Sequence, residues 1–316
     1  MKLTKNISFK NYKNLKTNKK IFSFFKKIKK ENNQILRSMS TTYRDSFNKK
    51  KISKFKKYSQ IRLFGMGGSS LGAQTIYHFL KHKIKKNFLF FDNLEVSKDN
   101  LKVNKKNLNL IVSKSGDTLE TISTSNILIK KNEKNIFITE NKKNYLTTLA
   151  KKLKSEIIHH NNFIGGRYSV FSEVGMIPAE LMGLNVNKFR QFNKLVNNKQ
   201  FINSLISNVF NIHQLNKKKR FNSVILNYDN SSSNLFYWYQ QLIAESLGKK
   251  GKGILPIVSN MPRDNHSLMQ LYLDGPNNNF YTLFFVEDKT SIKTNNQILL
   301  KSHSYLKDKD LNEIKR

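Results

Sequence analysis

Short apolar runs recur along this chain, and several end in glycine- or hydroxyl-rich turns that lead into a helical pattern. Ile61–Phe64 runs into Gly65-Met66-Gly67-Gly68-Ser69-Ser70, and a helical pattern follows from Leu71 to Leu80. Phe88–Phe91, Leu108–Val112, Asn135–Thr139 and Glu156–His159 read as further strands, with helical patterns at Leu119–Ile129 and Tyr145–Leu153. Strands alternating with helices of this length make βαβ units and a parallel sheet. A second series starts near residue 196. It places helices at Phe201–Leu215, Leu235–Leu247 and His266–Leu273 and strands at Ser223–Asn227, Ile254–Val258 and Phe280–Val286. The reading is α/β: two doubly wound units with mainly parallel sheets over residues 56–195 and 196–316, after a helical leader over residues 1–55. The polar stretch after Glu287 shows no packed element, so the second unit reads as incomplete at its C-terminus.

Composition narrows the function classes. The net charge is +36, a value compatible with nucleic-acid or anionic-membrane binding. The lysines, however, spread over the whole length among abundant Asn and Ile, and nothing resembles a nucleic-acid-binding motif. Lys26-Lys27-Ile28-Lys29-Lys30 and Lys217-Lys218-Lys219-Arg220 therefore read as solvated surface, and nucleic acid is not expected as a partner. Without cysteine there are no disulfides or thiolate metal sites, and no histidine spacing supports a metal. No apolar run approaches the ~20 residues that span a bilayer. The N-terminal run Ile21–Phe25, interrupted by Ser23, is too short for a signal peptide. These features predict a soluble cytoplasmic protein with no membrane partner.

Five segments carry chemistry. Gly65 to Ser70 lies between a strand and a helix, where glycines turn tightly and free N–H groups face an anion. It lacks the Gly-Lys-Ser/Thr of a nucleotide loop, and Asp92 is the nearest acid for a dinucleotide site; a plain tight turn is the bland alternative. Ser113-Lys114-Ser115-Gly116-Asp117-Thr118 repeats the pattern with three short hydroxyl donors, which could equally cap a helix. Two such loops at the C-terminal ends of adjacent parallel strands favour a phosphate site. Gly165-Gly166-Arg167-Tyr168-Ser169 reads as a bend aiming a guanidinium inward to stabilise an oxyanion; a surface arginine is the alternative. In the helix containing Trp238–Leu247, Leu235, Tyr239, Leu242 and Ser246 form one stripe, while Gln241 and Glu245 share another face. That places the Glu245 carboxylate at the edge of a buried stripe, able to exchange a proton with carbon, unless it merely pairs with Lys249. His266 stands at a predicted helix start, either moving protons or sitting idle beside the cap.

In this order and spacing, the segments resemble the glucose-6-phosphate isomerase family over residues of about 60 to 287, most specifically at Gly165–Ser169 and Gln241–Lys249. The resemblance implies sugar-isomerase-type domains and a homodimer with shared active sites. It also implies cofactor-free interconversion of glucose 6-phosphate and fructose 6-phosphate through an enediolate. On the matching motifs, Ser69, Ser113, Ser115 and Thr118 would hold the phosphate, helped by the backbone of Gly68 and Lys114. Glu245 would be the base, Arg167 would stabilise the enediolate, and Gln241 would position the substrate. His266 would assist ring opening from the partner subunit. Ser115 stands where the family usually has Thr, which keeps the hydroxyl. The family's lysine on a C-terminal helix has no match. Lys301, Lys307 and Lys315 qualify by residue type only, so poor isomerisation is the expectation. A sugar-phosphate sensor would need none of Arg167, Gln241, Glu245 and His266; a polyanion binder would use the charge alone.

Overall fold

The computed structural model describes residues 18–97, 107–287 and 290–315. Of the predicted leader, residues 1–17 lie outside the described residues; the rest forms short helices α1 (Lys19–Lys30), α2 (Gln34–Ser38) and α3 (Lys49–Ser53).

Five strands form the larger sheet: β1 (Gln60–Phe64), β2 (Asn87–Phe91), β3 (Asn107–Val112), β4 (Lys134–Glu140) and β5 (Glu156–His160). All pairings are parallel, in the order β2-β1-β3-β4-β5. Alternate side chains leave a strand on opposite faces, and two cores result. On one face Ile61, Leu63, Leu110 and Ile138 pack against helices α4 (Leu71–Phe79) and α7 (Glu173–Leu181). On the other, Phe64, Ile111 and Phe137 pack against α5 (Leu119–Leu128) and α6 (Tyr145–Lys152). From β1 the chain steps outward to β2, then crosses back to β3 on the opposite side. The connections leaving β1 and β3 therefore diverge, and the crevice between them is where open α/β sheets bind ligands. The two hydroxyl- and glycine-rich loops occupy that position.

Helix α7 has no counterpart in the sequence reading. Glu173 through Ala179 are all buried, so the helix has no polar face and shows no 3.6-residue alternation.

After α8 (Phe192–Leu195) and α9 (Lys199–Lys217) come β6 (Asn222–Asn227), α10 (Ser233–Leu247), β7 (Leu255–Asn260), α11 (Met269–Asp274) and β8 (Asn279–Phe284). The three strands form a second parallel sheet in the order β7-β6-β8. Helix α10 packs on β7 and also on α4 of the larger sheet. The Thr75 hydroxyl donates to the Asn234 carbonyl at 2.9 Å, and the Asn234 amide donates to Gln74 Oε1 at 3.0 Å.

The helix predicted over His266–Leu273 needs correction. Arg263–Asn265 is a 3-10 turn, and α11 begins only at Met269. The cause is Asp264, whose buried carboxylate accepts the Asn260 N–H at 2.7 Å and the Ser259 hydroxyl at 3.0 Å, folding the segment back on β7. Beyond β8, a 3-10 turn at Lys301–Leu306 and α12 (Leu311–Lys315) contain no buried residue.

Candidate functional site

Two glycine-rich segments meet backbone to backbone. A Cβ on Gly68 would lie 2.3 Å from the Gly166 carbonyl carbon, so the approach requires glycine there. The Ser169 hydroxyl closes the seam, donating to the carbonyls of Gly68 and Gly166 at 3.1 and 2.7 Å. Gly67, at φ +50°, faces the Gln241 amide, which a Cβ would approach to 2.8 Å. The loop after β1 is thereby fixed against both the Arg167 turn and α10.

Arg167 reaches from that turn to α10. Its Nε donates to Ser246 Oγ at 2.9 Å and its Nη1 to Glu245 Oε2 at 3.2 Å. The guanidinium lies 4.6 Å from the Tyr168 ring centre, and the Tyr168 hydroxyl shares Ser246 Oγ at 2.9 Å. The Trp238 indole N–H holds the Arg167 carbonyl at 3.0 Å. On the same helix face Gln241 Nε2 donates to Glu245 Oε1 at 2.7 Å, so each carboxylate oxygen has one donor. Gln241 Oε1 is buried without a partner. Burial works against the Arg167 charge, but the Tyr168 hydroxyl and the Glu245 carboxylate outweigh it and raise the guanidinium above its ordinary value. Burial pushes the Tyr168 hydroxyl up; Ser246 and Arg167 outweigh this and hold it below the usual tyrosine range.

Two expectations for Glu245 change. Among the described residues its ion-pair partner is Arg167, rather than Lys249. Its side chain is also 47% exposed, more than the edge of a buried stripe implies. Within α10 only Phe236 is buried, because a groove of about 490 Å³ runs beside Leu235, Tyr239 and Leu242.

The second loop gathers its hydroxyls. Ser113 Oγ lies 2.7 Å from Thr118 Oγ1 and 3.4 Å from Ser115 Oγ. The N–H groups of Gly116 and Asp117 donate to Ser113 and Ser115 at 3.1 and 3.2 Å. Thr118 occupies the N-cap position of α5, yet its side chain makes no capping bond. Gly116 has φ +78°, and a Cβ would strike the Asn144 side chain at 2.1 Å, so α6 buttresses the loop from behind. The Lys114 side chain is engaged elsewhere, with the Asn162 carbonyl at 2.9 Å and Glu140 at 3.5 Å. This loop and the first leave neighbouring strands, with Phe64 in register with Ile111 and Gly65 packed against the Val112 carbonyl. Ser69 ends the 3-10 turn of the first loop.

His266 stands apart. It is exposed at the end of the 3-10 turn, and among the described residues no hydrogen bond or ion pair joins it to Glu245 or Arg167. Lys301, Lys307 and Lys315 are exposed beyond β8. Among the described residues no group of three or more metal-ligating side chains occurs, and no helix is long and apolar enough to cross a membrane. Ser246 and Trp238, which anchor Arg167, carry no role in the sequence reading. No local spacing signals contacts between segments so far apart in the chain.

Residues 10–255 match the model of the phosphoglucose isomerase family. The chain belongs to that family. Glucose-6-phosphate isomerase from Methanocaldococcus jannaschii is 35% identical over 269 residues, covering 78% of this chain and 65% of that protein. The glucose-6-phosphate isomerase of Mycoplasmopsis synoviae is 31% identical, with 82% of this chain and 66% of that protein covered. The chain thus spans just under two thirds of the length of these phosphoglucose isomerase relatives. Among solved structures, a Thermus thermophilus protein described as hypothetical aligns with TM-score 0.75 at 21% identity, covering 93% of this chain and 77% of its own. A glucose-6-phosphate isomerase from Chlamydia trachomatis aligns with TM-score 0.62 at 17% identity, over 77% of this chain and 56% of its own. Both share the α/β fold.

Proposed function

We propose that this chain acts as a glucose-6-phosphate isomerase, moving a proton between carbons 1 and 2 of the open sugar through an enediolate. The observation that carries the reading is the Arg167–Glu245–Gln241 constellation, on an arm and a helix fixed against the loop that follows β1. A carboxylate held between two donors has a defined direction, as a base at carbon needs. Arg167 supplies a fixed positive charge where the enediolate develops its negative one. Ser69, Ser113, Ser115 and Thr118, with the backbone N–H groups of Gly68 and Lys114, bind the phosphate. That remote binding energy orients the carbons to be deprotonated. Gln241 orients Glu245 and positions the substrate beside it.

In this reading His266 serves ring opening from a second copy of the chain, which makes the active species a homodimer with shared sites. Residues 56–195 and 196–316 act as two units, with the catalytic carboxylate on the second and the phosphate loops on the first. The reaction requires no cofactor, and its substrates place the protein in the cytoplasm. The test is formation of glucose 6-phosphate from fructose 6-phosphate, read with a coupling dehydrogenase, together with deuterium uptake from heavy water at the sugar carbon. Saturable turnover with uptake is expected; the absence of both would overturn the assignment.

A further inference from the structure

The buried pair of His160 and Glu173 takes no part in the chemistry above. It joins the end of β5 to the start of α7, with side chains 1% and 0% exposed. Burying such a pair is costly unless its hydrogen bonds are complete, and here they are. His160 Nε2 faces the Ile164 carbonyl at 3.0 Å and can only donate to it. His160 Nδ1 lies 2.6 Å from Glu173 Oε1. The same oxygen accepts the Asn161 N–H at 2.7 Å, and Oε2 accepts the Ser46 hydroxyl at 3.2 Å. Both ring nitrogens are committed, so the imidazole plane is fixed.

What this ring holds is the arm that carries Arg167. Ile164 is fully buried, its N–H bonds the Asn161 carbonyl at 3.0 Å, and its carbonyl is held by His160. Two glycines follow, then Arg167. On the far side of the arm, the Trp238 indole and the Gly165–Tyr168 backbone bond fix the turn. Glycines transmit no side-chain packing, so the arm's root needs an anchor of its own, and the Ile164 carbonyl is that point.

We propose that His160 is a positioning residue: through the Ile164 carbonyl it sets where the Arg167 guanidinium points, with Glu173 holding the imidazole in place. Its effect on turnover rests on the isomerase reading; its effect on Arg167 does not.

The experiment uses two substitutions in the full chain. His160→Asn keeps an amide on the Glu173 side and loses the bond to Ile164. His160→Gln reaches the Nε2 position and keeps that bond. The Arg167 Nε–H resonance, assigned by its loss in Arg167→Lys, reads guanidinium placement directly. In His160→Asn the resonance is expected to shift, and kcat to fall on the order of tenfold with KM for fructose 6-phosphate nearly unchanged. His160→Gln restores both. In an Arg167→Ala background, His160→Asn costs nothing further. An unmoved resonance in folded His160→Asn, or losses that simply add, overturns the proposal. Should His160→Asn fail to fold, Glu173→Gln is judged by the same resonance, with a shift expected and an unmoved peak decisive against. A parent chain without turnover defeats the isomerase reading, while the resonance still decides the positioning.

Discussion

Glu245 has a donor on each carboxylate oxygen, Gln241 on one and Arg167 on the other. Replacing it by Gln preserves shape and removes the proposed base. Turnover of Glu245→Gln should drop by ~10²–10⁴-fold, while calorimetry should find fructose 6-phosphate bound much as in the parent; normal turnover would move the base elsewhere. At this scale the sequence is informative where residues are near neighbours along a helix. Residues four apart share a face, and the Gln241–Glu245 bond follows from that rule. It is silent on Ser246 as the anchor of Arg167, because that contact depends on how two sheets pack. His160 is a similar case: alternation in β5 turns one of the adjacent histidines inward, but nothing local says that Glu173 waits for it.

Helix α5 separates two explanations for its N-cap residue. Thr118 stands at the N-cap without capping, its hydroxyl turned to Ser113. Thr118→Ala should therefore cost no more stability than one neutral hydrogen bond, ~1 kcal/mol, and weaken fructose 6-phosphate by ~1.5–3 kcal/mol. Denaturation and calorimetry on the same samples compare the two, and a stability loss larger than the affinity loss would restore the capping reading. Helix α7 offers a pH test. Burial alone would raise the Glu173 carboxyl, but the bonds from His160 and the Asn161 N–H outweigh it and hold the group below its ordinary 4.5. With the folded value below the unfolded one, the contribution is complete above 4.5 and is lost as pH falls toward the folded value, because the unfolded chain binds more protons there. Urea midpoints between about pH 6 and about pH 3 should fall more steeply for the parent than for Glu173→Gln; parallel curves would exclude this linkage. Elements whose apolar runs stop at a glycine or a serine were legible in the sequence. Helix α7, buried on every side, and the segment that Asp264 folds back on β7 were not, because periodicity reports only half-buried elements.

Over the whole molecule, alternation of strands and helices announces parallel sheets, yet not the order β2-β1-β3-β4-β5 that puts two loops side by side. The proposed dimer makes a sharp prediction. Glu245→Gln and His266→Ala chains, each inactive alone, should regain roughly a quarter of parental turnover after equal mixing, since half the dimers are mixed and each has one intact site. No recovery after verified subunit exchange would place His266 in its own chain's site or outside the reaction. Helix α10 packs on β7 and on α4, and Asn234, Trp238 and Ser246 tie it to α4 and to the Arg167 turn. Turnover at the proposed site would therefore monitor a joint. A concentration of urea too low to melt either sheet, but enough to let α10 ride up from α4, should extinguish turnover while circular dichroism stays flat. On dilution the activity should return at the speed of two surfaces closing, well ahead of any refolding of the chain.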